Sequence, residues 1–379
     1  MFIDHIFFMD EILKLEKEAS KYTKTVNLST WNSSKEYENE IFKRLTPFNL
    51  VNSTKYTYSY DIPLETRNRC VKKIIGTNNE DEMCLFLGNA TLAILNILNF
   101  LKQYGCNHIL IIGPSYFSVF EVCKTLGISY EVYTLTRVNN SYVINSKSIY
   151  SKQFDAVFIT SPIYSTSVPL SDDIIDIINT LTNRKTFVVL DESICINGYE
   201  TIRSVNINPY LIGIYSPHKS LFCNNNKFSM IICNKKHDDF LEQWIDVLNG
   251  SLSYSNQQAI YHFLSDNYNV CNSFALEYFN NNKERIISLI DSYDNCYYDK
   301  SIIGPYMTIY LTSVNIKKVY SIDFQRILIK HTGTSFYPGM LNGLLLDNFA
   351  NFRINLSLAT KDLIYHLKQV LDFIYLDQY

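Results

Sequence analysis

The sequence predicts an α/β protein: a large domain on a mostly parallel sheet, with a smaller α+β domain beside it. Two observations carry this. In the middle of the chain, short apolar runs alternate with segments of helical period, and such runs suit strands buried on both faces. From about Asn281 the texture changes. Lys283–Ile290 continues a long helical pattern, Tyr306–Leu311 alternates, Phe352–Leu358 reads as a last strand, and Lys361–Tyr375 reads as an amphipathic helix. The expected division is residues 49–280 for the large domain, and 1–48 with 281–379 for the small one.

In chain order, the opening MFIDHIFFMDEILKLEKEASK has an apolar run broken by Asp4, His5 and Asp10. It reads as a helix or strap with one apolar face, not as a signal peptide or a spanning helix. Cys84–Leu87 predicts a strand, and Thr91–Leu101 predicts a helix with Leu92, Ile94, Leu95, Leu98 and Leu101 apolar. His108–Ile112 predicts a strand, Tyr116–Leu126 a helix, and Ile128–Tyr133 a strand. Further strands are predicted at Ala156–Ile159, Phe187–Leu190, Ile212–Tyr215 and Phe228–Cys233.

The composition bounds the function. Against 34 basic residues stand 37 acidic ones, a net charge of −3, so there is no electrostatic footprint for nucleic acid and no polybasic membrane anchor. A small-molecule partner is expected. The nine cysteines are odd in number and form no CxxC pair, which argues against a disulfide framework and a zinc ribbon and points to a reducing, cytoplasmic setting. The excess of Asn, Ile, Lys and Tyr reads as codon bias, with Asn standing where Gly would often mark a turn.

In a parallel sheet, ligands bind beyond the carboxyl ends of the strands. Five such ends are informative. After CLFL, Asn89-Ala90-Thr91 opens a helix whose free N–H groups can receive a phosphate. After HILII, Gly113-Pro114-Ser115 leads to Tyr116, which can stack on a planar ring. After AVFI comes the polar turn Thr160–Ser167, containing Tyr164. After FVVL stands Asp191, a carboxylate that needs a partner if buried. After IGIY stand Ser216, His218 and Lys219, and a lysine there suits a Schiff base. Each feature alone has an ordinary structural reading as a cap, a core ring or a surface lysine. Together they call for a ring with a basic nitrogen, an aldehyde and a phosphate, which is pyridoxal 5′-phosphate.

On these residues the chain resembles the class I/II aminotransferase family, fold-type I pyridoxal-phosphate enzymes, from about Val26 to the C-terminus and with the motifs in the family's order. The resemblance implies a seven-stranded large-domain sheet. Lys219, in SPHKSLFCNNNKFS, matches the Schiff-base lysine and Ser216 the phosphate-binding serine. His218 stands where the second serine is usual, and Lys227 where an arginine is usual, keeping the charge without the fork. Asn89, Ala90 and Thr91 match the phosphate turn, Tyr116 the stacking aromatic, and Asp191 the aspartate on the pyridine nitrogen. Arg353, in NFRINLSLAT, matches the arginine that grips the substrate α-carboxylate, a planar contact suited to arginine. Tyr60 resembles the tyrosine that reaches the neighbouring subunit's phosphate. Asn27–Trp31 resembles the segment over the substrate pocket, with Trp31 a wall.

Three departures stand out. Tyr164 replaces the asparagine that contacts the ring hydroxyl, Ile194 replaces the family's tyrosine, and His218 precedes the lysine. The Tyr164 hydroxyl is the expected replacement donor. The resemblance implies an enzyme moving an amino group between an amino acid and a 2-keto acid, with Lys219 as general base. It also implies a homodimer with a shared site, for which Leu252–Phe263 resembles an interface segment. Decarboxylation, elimination, cyclisation or O₂-dependent oxidation on the same fold, and a non-catalytic module, are the alternatives.

Overall fold

A computed structural model describes residues 5–45, 58, 61–76, 81–138, 141–196, 198–224, 227–344, 346 and 348–375. Seven strands form the main sheet: β1 (Glu82–Leu87), β2 (His108–Gly113), β3 (Ser129–Thr134), β4 (Ala156–Thr160), β5 (Phe187–Glu192), β6 (Leu211–Tyr215) and β7 (Ser229–Asn234). Their spatial order is β1-β7-β6-β5-β4-β2-β3. Neighbours pair in parallel except around β7, which is antiparallel to both β1 and β6. Two antiparallel steps restore direction, so β1 runs as β6 does. The carboxyl ends of β1, β2, β4, β5 and β6 therefore share one edge.

All the predicted runs of the middle chain are strands. Alternate residues feed two apolar layers, one on each face. Leu85, Ile111, Phe158, Val189 and Ile214 face one layer, with Phe86, Ile112, Ile159, Leu190 and Tyr215 in the other. The edge strand β3 differs. It is half exposed along its length, unlike β1 at the other edge of the sheet, whose residues are all buried. Asp191 and Glu192 also differ from expectation: they are the last two residues of β5 rather than the loop after it. Asp191 is in register with Thr160 on β4 and Ile214 on β6.

Helix α1 (His5–Ala19) packs against the helix Ile322–Thr332. After β1 the chain turns into α2 (Ala90–Gln103), whose N-cap Asn89 accepts from the Leu92 amide at 3.0 Å. Tyr116 caps α3 (Phe117–Leu126) rather than lying within it. The short α4 (Pro217–Ser220) follows β6 and carries Lys219. Helix α5 (Tyr268–Ile290) extends the predicted 283–290 pattern toward its N-terminus and runs through residue 280.

The second sheet has three antiparallel strands in the order β8 (Cys296–Tyr298), β9 (Tyr306–Leu311) and β10 (Ala350–Asn355). Thr308 on β9 is in register with Arg353 on β10. The last helix, α6 (Thr360–Tyr375), buries Leu363, Leu367, Val370 and Leu371, the predicted apolar face. The chain's beginning is tied to this half: Val26–Asn27 pairs in parallel with Thr334–Ser335, and the Asn355 amide donates to the Leu28 carbonyl. All nine cysteines are free and buried. Among the described residues, no helix is long and apolar enough to cross a membrane.

Candidate active site

A cavity of about 510 Å³ opens at the shared carboxyl edge, lined by Trp31, Asn32, Asn89, Ala90, Thr91, Leu92, Tyr116, His218, Lys219, Phe222, Asn224, Lys227 and Tyr306. Eight residues singled out from the sequence thus meet on one wall system: Trp31, Asn89, Ala90, Thr91, Tyr116, His218, Lys219 and Lys227. They come from the N-terminal segment, the β1–α2 turn, the end of β2 and the β6–β7 connection. Tyr60 lies outside the described residues.

At the start of α2, Asn89 occupies its own side chain with the Leu92 amide, while Ala90 is buried and Thr91 exposed. The remaining first-turn N–H groups have no partner four residues back and carry the positive end of the helix dipole. Across the cavity, His218 is buried, and its Nδ1 accepts from the Phe228 amide at 3.3 Å. Burial, with Lys219 beside it, pushes its pKa down to about 3, so the ring is neutral. An Nδ1 that accepts leaves the proton on Nε2. Lys227 is exposed at the rim. Ser216 is placed differently: its hydroxyl is 2.5 Å from the Ser229 hydroxyl, and it does not line the cavity.

Lys219 and Asp191 form the electrostatic centre. The Lys219 ammonium lies 5.2 Å from the Tyr116 ring centroid. Burial lowers the lysine pKa, the Asp191 charge opposes that, and Lys227 adds to it. Burial raises the Asp191 pKa, opposed by Lys219 and by the Ser193 amide and hydroxyl, which donate to Oδ1 at 3.1 and 2.5 Å. The two opposite charges feel one another but make no direct ion pair. Desolvation is the larger influence on both, so an arrangement that leaves them apart is unfavourable until a polar group stands between them.

Trp31 and Tyr306 make the opposite wall, and Arg353 lies behind their rings; like Asp191 and Tyr164 it is buried and does not itself line the cavity. It is one of the largest fully buried side chains, 1% exposed. Its guanidinium carbon lies 3.8 Å from the Trp31 ring centroid and 4.7 Å from that of Tyr306. Nε and Nη2 donate to the Ser29 carbonyl at 3.3 and 3.1 Å, while Nη1 is buried without a hydrogen-bond partner. Among the described residues no carboxylate pairs with it. A buried cation with free donors and no counter-ion fits an anionic ligand. Tyr164 is buried, with its ring 5.9 Å from that of Tyr116. Burial raises its pKa, and the charge and hydrogen bonding of Arg353 oppose the rise, so its hydroxyl lies toward the guanidinium.

Several contributors escaped the sequence reading. Ser193 is two residues from Asp191, where a local side-chain bond was foreseeable. Tyr306 was visible as part of an alternating strand, though not as a cavity wall. Phe222 and Asn224 carried no signal. The turn holding Tyr164 has Ser165 and Ser167 in the left-handed region, at φ 72° and 56°. The Thr308 hydroxyl donates to the Ser165 carbonyl at 3.0 Å, and the Tyr306 amide to the Ser167 hydroxyl at 3.2 Å. These bonds fasten β9 to the turn.

No protein-family model and no curated protein sequence matches the chain. Solved structures do match over nearly the full length. An aspartate aminotransferase from Thermotoga maritima superposes with a TM-score of 0.76 at 14% identity, covering 98% of this chain and 97% of that one. An N-succinyldiaminopimelate aminotransferase from Mycobacterium tuberculosis gives 0.75 at 14% identity, with 96% of each chain covered. A pyridoxal-phosphate-bound C–S lyase from Staphylococcus hominis gives 0.71 at 15% identity, with 94% of each covered. The mostly parallel seven-stranded sheet with its second, smaller sheet is the fold these structures share.

Proposed function

We propose that this protein is a pyridoxal-phosphate-dependent aminotransferase that acts on an α-amino acid and a 2-keto acid. The observation that carries the reading is the enclosed Lys219 facing a buried, unpaired Asp191 beneath the Tyr116 ring. The orphaned Nη1 of Arg353 adds the substrate's carboxylate to it. The fold of the aminotransferases described above supports the same reading.

The residues present fit the cofactor. The α2 N-terminus at Ala90–Thr91, the His218 Nε2–H and Lys227 would hold its phosphate, Tyr116 its ring face and Asp191 its ring nitrogen, while Ser216, bonded to Ser229 outside the cavity, would take no direct part. When bound, pyridoxal phosphate supplies an aldehyde for the amino group and a ring that accepts the electrons of the α-carbon.

The protein's own groups do the rest. Desolvation keeps a share of the Lys219 amine neutral, as a nucleophile and proton acceptor must be. A neutral Lys219, once free, takes the α-proton and can return it from the same place. Burial raises the Asp191 pKa, while Lys219 and Ser193 favour its anion, and that carboxylate would supply the negative charge below the ring position. Arg353 orients the substrate by its carboxylate, and Trp31, Tyr306 and Tyr164 keep water from that contact.

The remaining features extend the proposal. The large unit would be residues 49–280, and the small one 1–48 with 281–379. A homodimer is supported by an open groove of about 200 Å³ beside the cavity, lined by Asn224, Lys227 and Phe228 and by Asn256, Ala259, Ile260 and Phe263 of the predicted interface segment. Nine free thiols support a cytoplasmic setting and a role in amino-acid metabolism is the natural context.

The test is nitrogen transfer. Cofactor-loaded protein is incubated with pooled ¹⁵N-labelled amino acids and unlabelled 2-keto acids. Label in new amino acids is the expected result. Release of labelled ammonia without transfer would replace transamination by elimination, and no change in any amino acid would overturn the reading.

A further inference from the structure

We propose that Glu16 and Asn27 are positioning residues for substrate, acting through Ser29 to aim the Arg353 guanidinium at the carboxylate. The inference rests on the role given to Arg353 above and extends it to the N-terminal helix.

The chain of contacts is continuous. Ser29 fixes Arg353 from two sides: its carbonyl accepts from Nε and Nη2, and its hydroxyl donates to the Arg353 carbonyl at 2.6 Å. The Tyr337 amide donates to the same hydroxyl at 2.9 Å. The direction of the Ser29 carbonyl depends on the turn at Asn27, whose Oδ1 accepts from the Ser29 amide at 2.8 Å. The other end of the Asn27 side chain donates through Nδ2 to Glu16 Oε1 at 2.8 Å. Glu16 Oε1 also accepts from the Ser335 hydroxyl at 2.5 Å, which ties helix α1 to the strand beside Asn27. The Tyr337 hydroxyl joins Asn27, and the Glu16 and Arg353 charges act on it with opposite sign.

Guanidinium geometry shows what this achieves. The Nε–H and the Nη2–H on its side form one donor pair, and Ser29 uses it. The pair left over is end-on, made by Nη1 and the outer proton of Nη2. Nη1 is the atom without a partner. Ser29 therefore sets which edge of Arg353 meets substrate, and Asn27 with Glu16 sets Ser29. A guanidinium turned by a few tenths of an ångström would still attract an anion but would lose the paired contact. The carboxylate of Glu16 sits where it can hold this arrangement without reaching the guanidinium and neutralising it.

The test compares two probes that differ only in the carboxylate, L-phenylalanine and 2-phenylethylamine. Their apparent dissociation constants are read from the absorbance change of the cofactor-loaded protein, and thermal midpoints report folding. Asn27→Ala and Glu16→Ala are expected to weaken L-phenylalanine by about tenfold, the loss typical of one misaligned charged hydrogen bond, and to leave the amine within about twofold. Glu16→Gln keeps an acceptor for Asn27 and Ser335 and is expected to restore wild-type binding. Asn27→Asp keeps the bond from the Ser29 amide but faces Glu16 with a second carboxylate. It tests the same link without a cavity, and weaker L-phenylalanine binding is expected there too. Equal losses for both probes, or none in any variant, would overturn the relay. A wild-type protein that binds both probes alike would instead remove the carboxylate role of Arg353, and the relay with it.

Discussion

One wall of the cavity carries Lys219, on the short α4 after β6, with the buried Asp191 behind it at the end of β5, the neighbouring strand in both sequence and sheet. The other is made by the rings of Trp31 and Tyr306, with Arg353 buried behind them and held by a carbonyl 324 positions earlier in the chain. Under the proposed function, the first wall concerns chemistry. Its charges are enclosed, held apart and shifted toward neutrality by desolvation. The second concerns selection, with a charge kept fully available by carbonyl and aromatic contacts that cannot neutralise it. The contrast teaches that the reacting groups here are set by local chain geometry. The group proposed to choose the substrate depends on packing between distant segments.

The comparison can be broken most severely at Lys219. Lys219→Ala is expected to lower turnover by at least about 10²- to 10⁴-fold, the worth of one positioned base. The ¹⁵N transfer assay reads this. A variant that kept wild-type turnover would take the chemistry off that wall. Arg353→Lys retains charge and loses the fork, so kcat/KM for the amino acid should fall about 10- to 100-fold, most of it in KM. A loss confined to kcat, with KM unchanged, would move Arg353 to the reacting wall.

Tyr164 sharpens the boundary between the walls. Its hydroxyl leans toward Arg353, so Tyr164→Phe should raise KM by roughly threefold, about one hydrogen bond's worth, with a smaller effect on the pH titration of the bound cofactor's absorbance. The opposite pattern, a shifted titration at constant KM, would place Tyr164 with the cofactor as the substitute ring-hydroxyl donor.

The smallest effect lies in the framework behind Asp191. Glu192 is buried, accepts from the Tyr215 hydroxyl at 2.5 Å and from the Thr201 amide, and burial pushes its pKa up to about 8. The raised pKa means the folded state favours the protonated acid. Its stabilising contribution is complete below the ordinary value of 4.5 and declines as pH rises toward 8. Glu192→Gln should therefore flatten the fall in thermal midpoint across that window while leaving KM alone. An unchanged pH slope would show that Glu192 is ionised in the fold.

How much of this was legible in sequence differs between the two walls. Continuous apolar runs gave away the strands of the main sheet, because burial on both faces leaves no room for polar alternation. β3 is the strand where this fails: it carries Ser129, Glu131 and Thr134 and is half exposed, whereas β1, at the other edge, is apolar in its second half and wholly buried. Asp191, Lys219, Tyr116 and the Asn89–Thr91 turn were legible because a strand's carboxyl end is a fixed address. Ser216 was legible as a residue but not in its contact, for nothing in SPHK announces that Ser229 on β7 would take up its hydroxyl. Phe222, Tyr306 and the Ser29 carbonyl were not legible, since a ring or a carbonyl becomes a wall only when another segment is laid against it.

By itself, then, the sequence determined the alternation of elements, the strand ends where reactive groups collect and the resemblance those residues carry. These follow from local period and from short spacings, which a chain cannot alter once its residues are chosen. Only the tertiary structure decided that Arg353 would be buried with no counter-ion among the described residues, which edge of it Ser29 would occupy, and that Glu16 on the first helix would stand behind that choice. These contacts join residues more than three hundred positions apart, and their energies depend on distance and desolvation, which the folded packing sets.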